Sequence, residues 1–302
     1  MSNDTNAHKL ATPDVVDYYS RNWEKIAQCY TIDAEGLPID PAWYRRRLYQ
    51  DFLDREKPAT ILDIGCGGGW TVLDACERGL SPRGVEPVGP LCQHGQDLLA
   101  KHGHDSGRIA QGDLSILGTL APASLDCIAL LSVLPHVPRD VWDDVHRNIA
   151  RALKPGGRLI AAYRNQLFDL FTFNGFTVEF YDQTLWGAPA CAPLHTDRTL
   201  AGLKGLIANP DVPGPYFTAA QDKSFGKLDR MKSNPMLMPA YLAGHGLAER
   251  RTSFYHYHCT PPLLLDQVAN ARRVNHDMEL SLATDWRGHF MAAMFLVEAI
   301  KA

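Results

Sequence analysis

The 302-residue sequence contains no apolar run near the ~20 residues that a bilayer-spanning helix requires, so a membrane-embedded chain is not expected. It also lacks any CxxC pair. Its seven cysteines, at 29, 66, 76, 92, 127, 191 and 259, are odd in number and scattered. That pattern suits reduced thiols in a cytoplasm better than a disulfide framework. The opening residues, MSNDTNAHKLATPD, are polar and lack the apolar core of a signal peptide. Basic charge is not in excess either: 30 Lys and Arg against 34 Asp and Glu give a net charge of −4. A nucleic-acid backbone is therefore not the expected partner. The short runs Arg45-Arg46-Arg47 and Arg250-Arg251 read as a solvated helix face and strand edge. Internal repeats and low-complexity tracts are missing as well. A soluble, cytoplasmic chain is expected.

What is present is alternation. Residues 13–28 and 42–56 have helical periodicity, the second with Tyr44, Leu48, Phe52 and Leu53 on one side. Strands are then predicted at 60–64, 83–86, 108–111, 126–134 and 158–163. Helices fall between them at 71–78, 90–101 and 139–153, and KPGG at 154–157 reads as a turn. Strands alternating with helices at this spacing predict an α/β, doubly wound, mostly parallel sheet. The rhythm breaks after Tyr163. Residues 166–232 hold Phe168, Phe171, Phe173, Phe176, Phe180, Tyr181 and Trp186, then a stretch rich in proline and glycine. So long an irregular segment is expected to be a lid. A helix near 235–244, a strand at 253–258, a helical stretch after Pro262 and a last apolar strand complete the chain.

The segment TILDIGCGGGW, residues 60–70, runs from a strand into clustered glycines. A dinucleotide site would need its third glycine where Trp70 stands, because that glycine permits close helix–sheet packing. Asp63, two residues before Gly65, would also repel a pyrophosphate on the helix N-terminus. The same carboxylate suits a ligand bearing an ammonium group. A nicotinamide oxidoreductase is thereby disfavoured.

With Asp63 and the glycines at 65, 67 and 69, followed by Glu86, the QGDL around Asp113, LLSVLPHVPRD and LKPGGRLI, the sequence resembles the class I S-adenosylmethionine-dependent methyltransferases. The likeness covers most of 58–165 and the closing strands. It implies a Rossmann-like seven-stranded sheet and S-adenosylmethionine as cofactor, leaving S-adenosylhomocysteine as product. It also implies that the loop Gly65, Cys66 and Gly67 passes the methionine part, that Asp63 lies near the amino group, that Glu86 meets the ribose hydroxyls, and that Asp113 meets the adenine. Pro87, Leu114, Ser132 and Tyr19 complete the expected cofactor-binding set.

Methyl transfer is an in-line displacement in which alignment and exclusion of water matter most, and a base is needed only for a protonated acceptor. In parallel sheets the reacting groups sit at the carboxyl ends of strands. That rule selects His136 after strand four, and Tyr163, Arg164 and Asn165 at the end of strand five. His136 is a candidate base or a loop-packing residue. Arg164 is an anchor for an acidic substrate or a partner in a lid salt bridge. Asn165 contacts a polar group or caps a helix. Tyr18, Tyr19 and Trp23 either fold over the cofactor or pack on the core. By two-residue period His256 and His258 share one strand face, but without a carboxylate or thiol beside them no metal site is expected. The aromatic run 168–186 favours an aromatic or apolar natural-product-like acceptor, unless it only packs the lid. Oxygen, nitrogen and carbon remain open as the acceptor atom, and a homodimer remains open. The expected organisation is an N-terminal helical cap (1–57), a cofactor-binding core (58–165), an inserted lid (166–232) and a C-terminal part of the sheet (233–302). The competing function is a non-catalytic regulator that keeps the cofactor fold.

Overall fold

The computed structural model describes residues 13–187, 189–207 and 231–302. The signal-peptide question at residues 1–12, and the part of the expected lid at 188 and 208–230, lie outside them. Among the described residues eight strands form one sheet: β1 (Thr60–Ile64), β2 (Ser81–Glu86), β3 (Ile109–Gln111), β4 (Leu125–Leu130), β5 (Leu153–Asn165), β6 (Lys232–Ser233), β7 (Leu247–Tyr257) and β8 (Ala292–Lys301). Their order is β3-β2-β1-β4-β5-β8-β7, with the two-residue β6 also paired to β5. All pairings from β3 to β5 are parallel, whereas β8 is antiparallel to both β5 and β7. This is the doubly wound sheet anticipated, one short strand larger. No described helix is long and apolar enough to cross a membrane.

Strand parity sorts the core. Leu62 and Ile64 of β1, Ile128 and Leu130 of β4, and Leu159, Ala161 and Tyr163 of β5 pack on one face, with the helix Trp142–Ala152 over them. Ile61, Cys127, Ala129, Ile160 and Ala162 face the other way, under Tyr49, Phe52 and Leu53 of the helix Ala42–Glu56. Successive side chains on a strand point to opposite faces, so this division follows from the period of two.

Local departures from the sequence reading have local causes. The predicted helix over 13–28 is two pieces, Pro13–Arg21 and Trp23–Ala27. The fourth strand stops at Leu130, and Leu134–His136 is a 3-10 turn that Pro135 starts. KPGG is a bulge within β5 rather than a turn before it. Pairing jumps from Leu125–Leu153 to Cys127–Arg158, with Gly156 at φ +76°. The described part of the insertion carries short helices at Asp169–Thr172, Gly175–Glu179 and Asp197–Leu206.

Candidate active site

At the carboxyl ends of β1, β2, β4, β5 and β7 lies a cavity of about 390 Å³. Its lower wall is the glycine loop. Gly65 has φ +72°, and a Cβ there would stand 2.5 Å from Val133 Cγ2, so only glycine lets the β4 loop approach. Gly67 has φ +55° and no atom within 4 Å of where a Cβ would be. The tight helix contact is made by Gly69, not by residue 70. Trp70 points outward, its Nε1 donating to Ala27 O at 3.1 Å, with the Arg46 guanidinium 4.7 Å from its ring.

Two buried carboxyls face the loop. Asp63 is 1% exposed, accepts a hydrogen bond from Thr71 Oγ1 on Oδ2, and leaves Oδ1 buried with no hydrogen-bond partner. Burial pushes its pKa up to about 6. Glu86 accepts from Gly67 N at 2.8 Å and from Val88 N at 3.0 Å, and burial raises its pKa to about 7. Pro87, Asp113, Leu114 and Ser132 continue the same wall. Asp113 accepts from Ser115 N at 2.8 Å. Cys66 also borders the cavity, although its thiol is turned toward Gly84 beneath the loop.

The opposite wall comes from outside this core. Tyr18 and Tyr19 project from the first helix, their rings 5.5 Å apart, and the Tyr19 hydroxyl lies 3.1 Å from His136 Nε2 in a hydrogen bond. The N-terminal helices thus cover the cavity, while Trp23 packs on His94 at 6.2 Å. Arg164 enters from β5.

Its neighbours Tyr163 and Asn165 do not enter, which corrects the expectation for both. Tyr163 is fully buried on the opposite sheet face, its hydroxyl 3.1 Å from His146 Nε2. Asn165 Nδ2 donates to the carbonyls of Gly288, His289 and Ala292, and its Oδ1 accepts from Leu167 N. Three consecutive strand residues cannot all face one cavity, and the period of two leaves Arg164 alone.

The histidine pair is also rearranged. His256 adopts φ +62°, lines the cavity, and is held well below the usual imidazole range by burial and by the nearby His258 and Arg164. His258 lies beyond the strand end, its ring tilted 37° against that of Phe168 at 4.8 Å, with both ring nitrogens buried and lacking hydrogen bonds. His289 packs on Phe254, at 4.6 Å. Among the described residues no group of His, Cys, Asp or Glu is arranged for a metal ion.

Sequence reasoning missed Arg45, Tyr30 and Tyr255, all of which line the cavity. Arg45 was assigned to a solvated face. It is in fact in register with Ala42, Tyr49 and Phe52, three of the four buried residues of its helix. That spacing was the available signal. The aromatic insertion contributes none of its named rings to the cavity wall; Phe168 packs with Ala293, and Phe180 is 4% exposed.

Three buried acids predict how stability depends on pH. Glu279 accepts from Tyr257 N, and burial lifts its pKa to about 8, above Glu86 and Asp63. A carboxyl raised on folding contributes stability that is present below its unfolded value and lost as pH rises through its folded one. Buried His146, His256 and His258 are shifted down and act oppositely, but only below about 6.5, where an unfolded histidine charges. Between about pH 6.5 and 8 the thermal midpoint of the cofactor-free protein should therefore fall, and Glu279→Gln should flatten the slope. A midpoint that rises across that window would contradict the burial of these acids.

A doubly wound sheet with a glycine loop, an acid before it and another ending β2 defines a nucleoside-cofactor enzyme of Rossmann-like architecture. Residues 61–157 match the family described as "Methyltransferase domain". Ubiquinone biosynthesis O-methyltransferase of Idiomarina loihiensis is 34% identical over 109 residues, 35% of this chain and 42% of that protein. The tRNA(Thr) (cytosine(32)-N(3))-methyltransferase of Saccharomyces cerevisiae is 28% identical over 146 residues, 43% of this chain and 23% of that protein. The chain thus spans less than half the length of these curated relatives. Magnesium protoporphyrin IX methyltransferase from Synechocystis, solved with S-adenosylhomocysteine bound, superposes with a TM-score of 0.55 at 14% identity, covering 95% of this chain and 98% of that one, and so shares the fold. Residues 61–157 thus carry a methyltransferase domain, and the chain shares its fold with an S-adenosylmethionine-dependent methyltransferase.

The residues fit that cofactor. Asp63 Oδ1 is a buried acceptor without a donor, as an ammonium group would require. Glu86 holds the loop and borders the cavity, and the space over Gly67 is open.

Proposed function

We propose that the chain transfers the methyl group of S-adenosylmethionine to a small molecule held in this cavity. The observation that carries the reading is a single chamber with Asp63, Gly67 and Glu86 on one side and Tyr19, His136, Arg164 and His256 on the other. Its volume is that of a small-ligand site. The net charge of −4 speaks against an RNA substrate, although one relative acts on tRNA by name. The cytoplasmic location and the division into cap, core, lid and closing strands belong to the same proposal.

When bound, the cofactor supplies an electrophilic methyl group on a sulfonium for in-line displacement. Asp63 would hold its ammonium group and Glu86 its ribose, with Gly65 and Gly67 admitting it to the loop. Tyr18 and Tyr19 line the chamber and would shield the bound cofactor from water. If the acceptor reacts through a protonated oxygen or nitrogen, His136 and His256 are the two cavity imidazoles placed to take that proton. Burial keeps His256 neutral near pH 7, the form a base needs. His136 is oriented by the Tyr19 hydroxyl.

The test is methyl-labelled S-adenosylmethionine offered together with a low-molecular-weight metabolite pool and with bulk tRNA. Label is expected in the small-molecule fraction. Label confined to the tRNA would overturn the proposal.

A further inference from the structure

Of the six non-glycine residues with positive φ among the described residues, only His256 lies inside a strand. A bulky side chain at φ +62° is a backbone outlier, and such strain persists only where the surroundings impose it. The outlier reverses the alternation of β7. Tyr255 and Tyr257, two residues apart, should share a face. Instead Tyr255 packs in the cluster of Tyr49 and Phe52, and Tyr257 in the cluster of Phe254 and Phe295 on the other side of the sheet. The ladder to β8 runs through Tyr255–Met294 and Tyr257–Ala292 and skips His256, whose side chain borders the cavity.

What imposes the conformation comes from outside the sheet. The helix Ala271–Ser281 lies against β7. Its Asn275 and Glu279, four residues apart, share one face. Asn275 Oδ1 accepts from Cys259 N at 2.7 Å, and Glu279 Oε1 accepts from Tyr257 N at 2.7 Å. The His256 N–H bears on the same Glu279 carboxyl. Beyond the helix, Leu282 O accepts from the Tyr257 hydroxyl at 2.5 Å and Met291 O from His258 N at 2.8 Å. The three residues that follow His256 are thus fixed by four hydrogen bonds, two of them from side chains of one helix. Glu279 is buried, and a carboxyl taken out of water is a costly acceptor where a strand neighbour would supply carbonyls.

We infer that Glu279, with Asn275, is a positioning residue that holds His256 in its left-handed conformation with the imidazole in the cavity, where His256 is the proton acceptor of methyl transfer. The inference rests on the reading of the cavity as a methyl-transfer chamber. In the step it describes, a lone pair of the acceptor oxygen or nitrogen forms the bond to the methyl carbon while the carbon–sulfur bond breaks and leaves its electrons on sulfur. The proton on that oxygen or nitrogen passes to a ring nitrogen of His256 and from there to water. Burial, His258 and Arg164 keep the ring neutral, so it has a lone pair to offer. The other cavity imidazole, His136, already engages the Tyr19 hydroxyl. Of the two, His256 is the one whose placement is maintained against backbone strain.

The experiment has two readouts on the full chain. The first is denaturant unfolding, which needs no ligand. At an ordinary strand position alanine is at least as stable as glycine. At φ +62° His256→Gly should instead exceed His256→Ala by about fivefold in the folding constant. In a Glu279→Ala background, where the backbone is released, that advantage should vanish. The second readout is transfer of label from methyl-labelled S-adenosylmethionine into the low-molecular-weight metabolite pool. His256→Gly should slow it at least about 100-fold, and added imidazole should recover part of the loss. Glu279→Ala should slow it at least about tenfold with the affinity for S-adenosylhomocysteine unchanged. Glu279→Gln keeps a carbonyl acceptor and should recover most of that rate. Added to His256→Gly, Glu279→Ala should cause no further loss, because it acts through the missing ring. Asn275→Ala is read in the same way should Glu279→Ala not fold. Three results overturn the inference: no advantage of glycine over alanine at 256, label transfer unchanged by His256→Gly, or a further loss from Glu279→Ala without the ring, which reports general support of the fold. Wild-type protein that neither binds S-adenosylhomocysteine nor transfers label would instead sink the methyltransferase reading, and the unfolding comparison would still decide the clamp.

Discussion

Glu86→Ala will weaken the binding of S-adenosylhomocysteine by at least a factor of ten, about 1.4 kcal/mol. The carboxyl has two tasks that no neighbour can take over. One oxygen accepts from Gly67 N at 2.8 Å and so fixes the glycine loop, and the other accepts from Val88 N at 3.0 Å at the start of the next helix. Alanine leaves both N–H groups without their acceptor, and an unmade buried hydrogen bond costs about 1–3 kcal/mol. It also removes the acidic acceptor expected to meet the ribose. Glu86→Gln keeps one oxygen and the side-chain volume, so its loss should be smaller. Calorimetry with S-adenosylhomocysteine and NADH on all three proteins checks this. Unchanged affinity in the alanine variant would remove Glu86 from the site, and wild-type protein binding only NADH would remove the cofactor assignment.

Gly69→Ala will destabilise the fold by about 2–4 kcal/mol, as the sum of overpacking and left-handed backbone strain. Gly69 precedes the helix Trp70–Glu77 with φ +84°, and a Cβ on it would stand 2.7 Å from Gly95 Cα and 2.9 Å from Ile109 Cδ1. Backbone cannot yield as the end of a side chain can, so the helices Trp70–Glu77 and Gly89–Lys101 would have to separate. Both flank the cofactor wall, and cofactor affinity should drop with stability. Gly79→Ala is the control. Its φ is +72°, but no atom lies within 4 Å of the added carbon, so only the backbone strain of about 1 kcal/mol applies. Denaturant unfolding of the two variants separates the steric from the conformational cost. Equal losses would show that the Gly69–Gly95 approach is not a tight contact.

The two sides of the cavity were unequally legible in the sequence. The cofactor wall could be read because its determinants are short-range. A run of buried residues ending in Asp63, glycines whose positive φ suits a tight loop, and an acid closing the next strand all lie within residues 60–86. The matched family spans the same region. The acceptor wall was harder because its residues come from helices and strands far apart in the chain. Arg45 reaches Ser132 across 87 positions, and Tyr19 reaches His136 across 117. Some of it was nevertheless encoded. Strand parity singles out Arg164 from Tyr163 and Asn165, and the helical spacing 42-45-49-52 puts Arg45 on the buried side. The aromatic run from Phe168 to Trp186 carried no such signal, since a ring that packs an insertion and a ring that lines a pocket look alike in composition.

The sequence by itself determined the alternation of strands and helices, the glycine loop with Asp63 and Glu86, and with them the cofactor class. These follow from backbone conformational preference and from periods of two and 3.6, which act between near neighbours. Tertiary structure alone decided that β4 stops at Leu130, that His256 turns to the cavity at φ +62° while His258 is buried against Phe168, and that Arg45 lies among hydroxyls without a carboxylate partner. Each of those outcomes depends on what another segment of the chain places opposite the residue, and desolvation and steric fit between distant segments are not written in any local pattern.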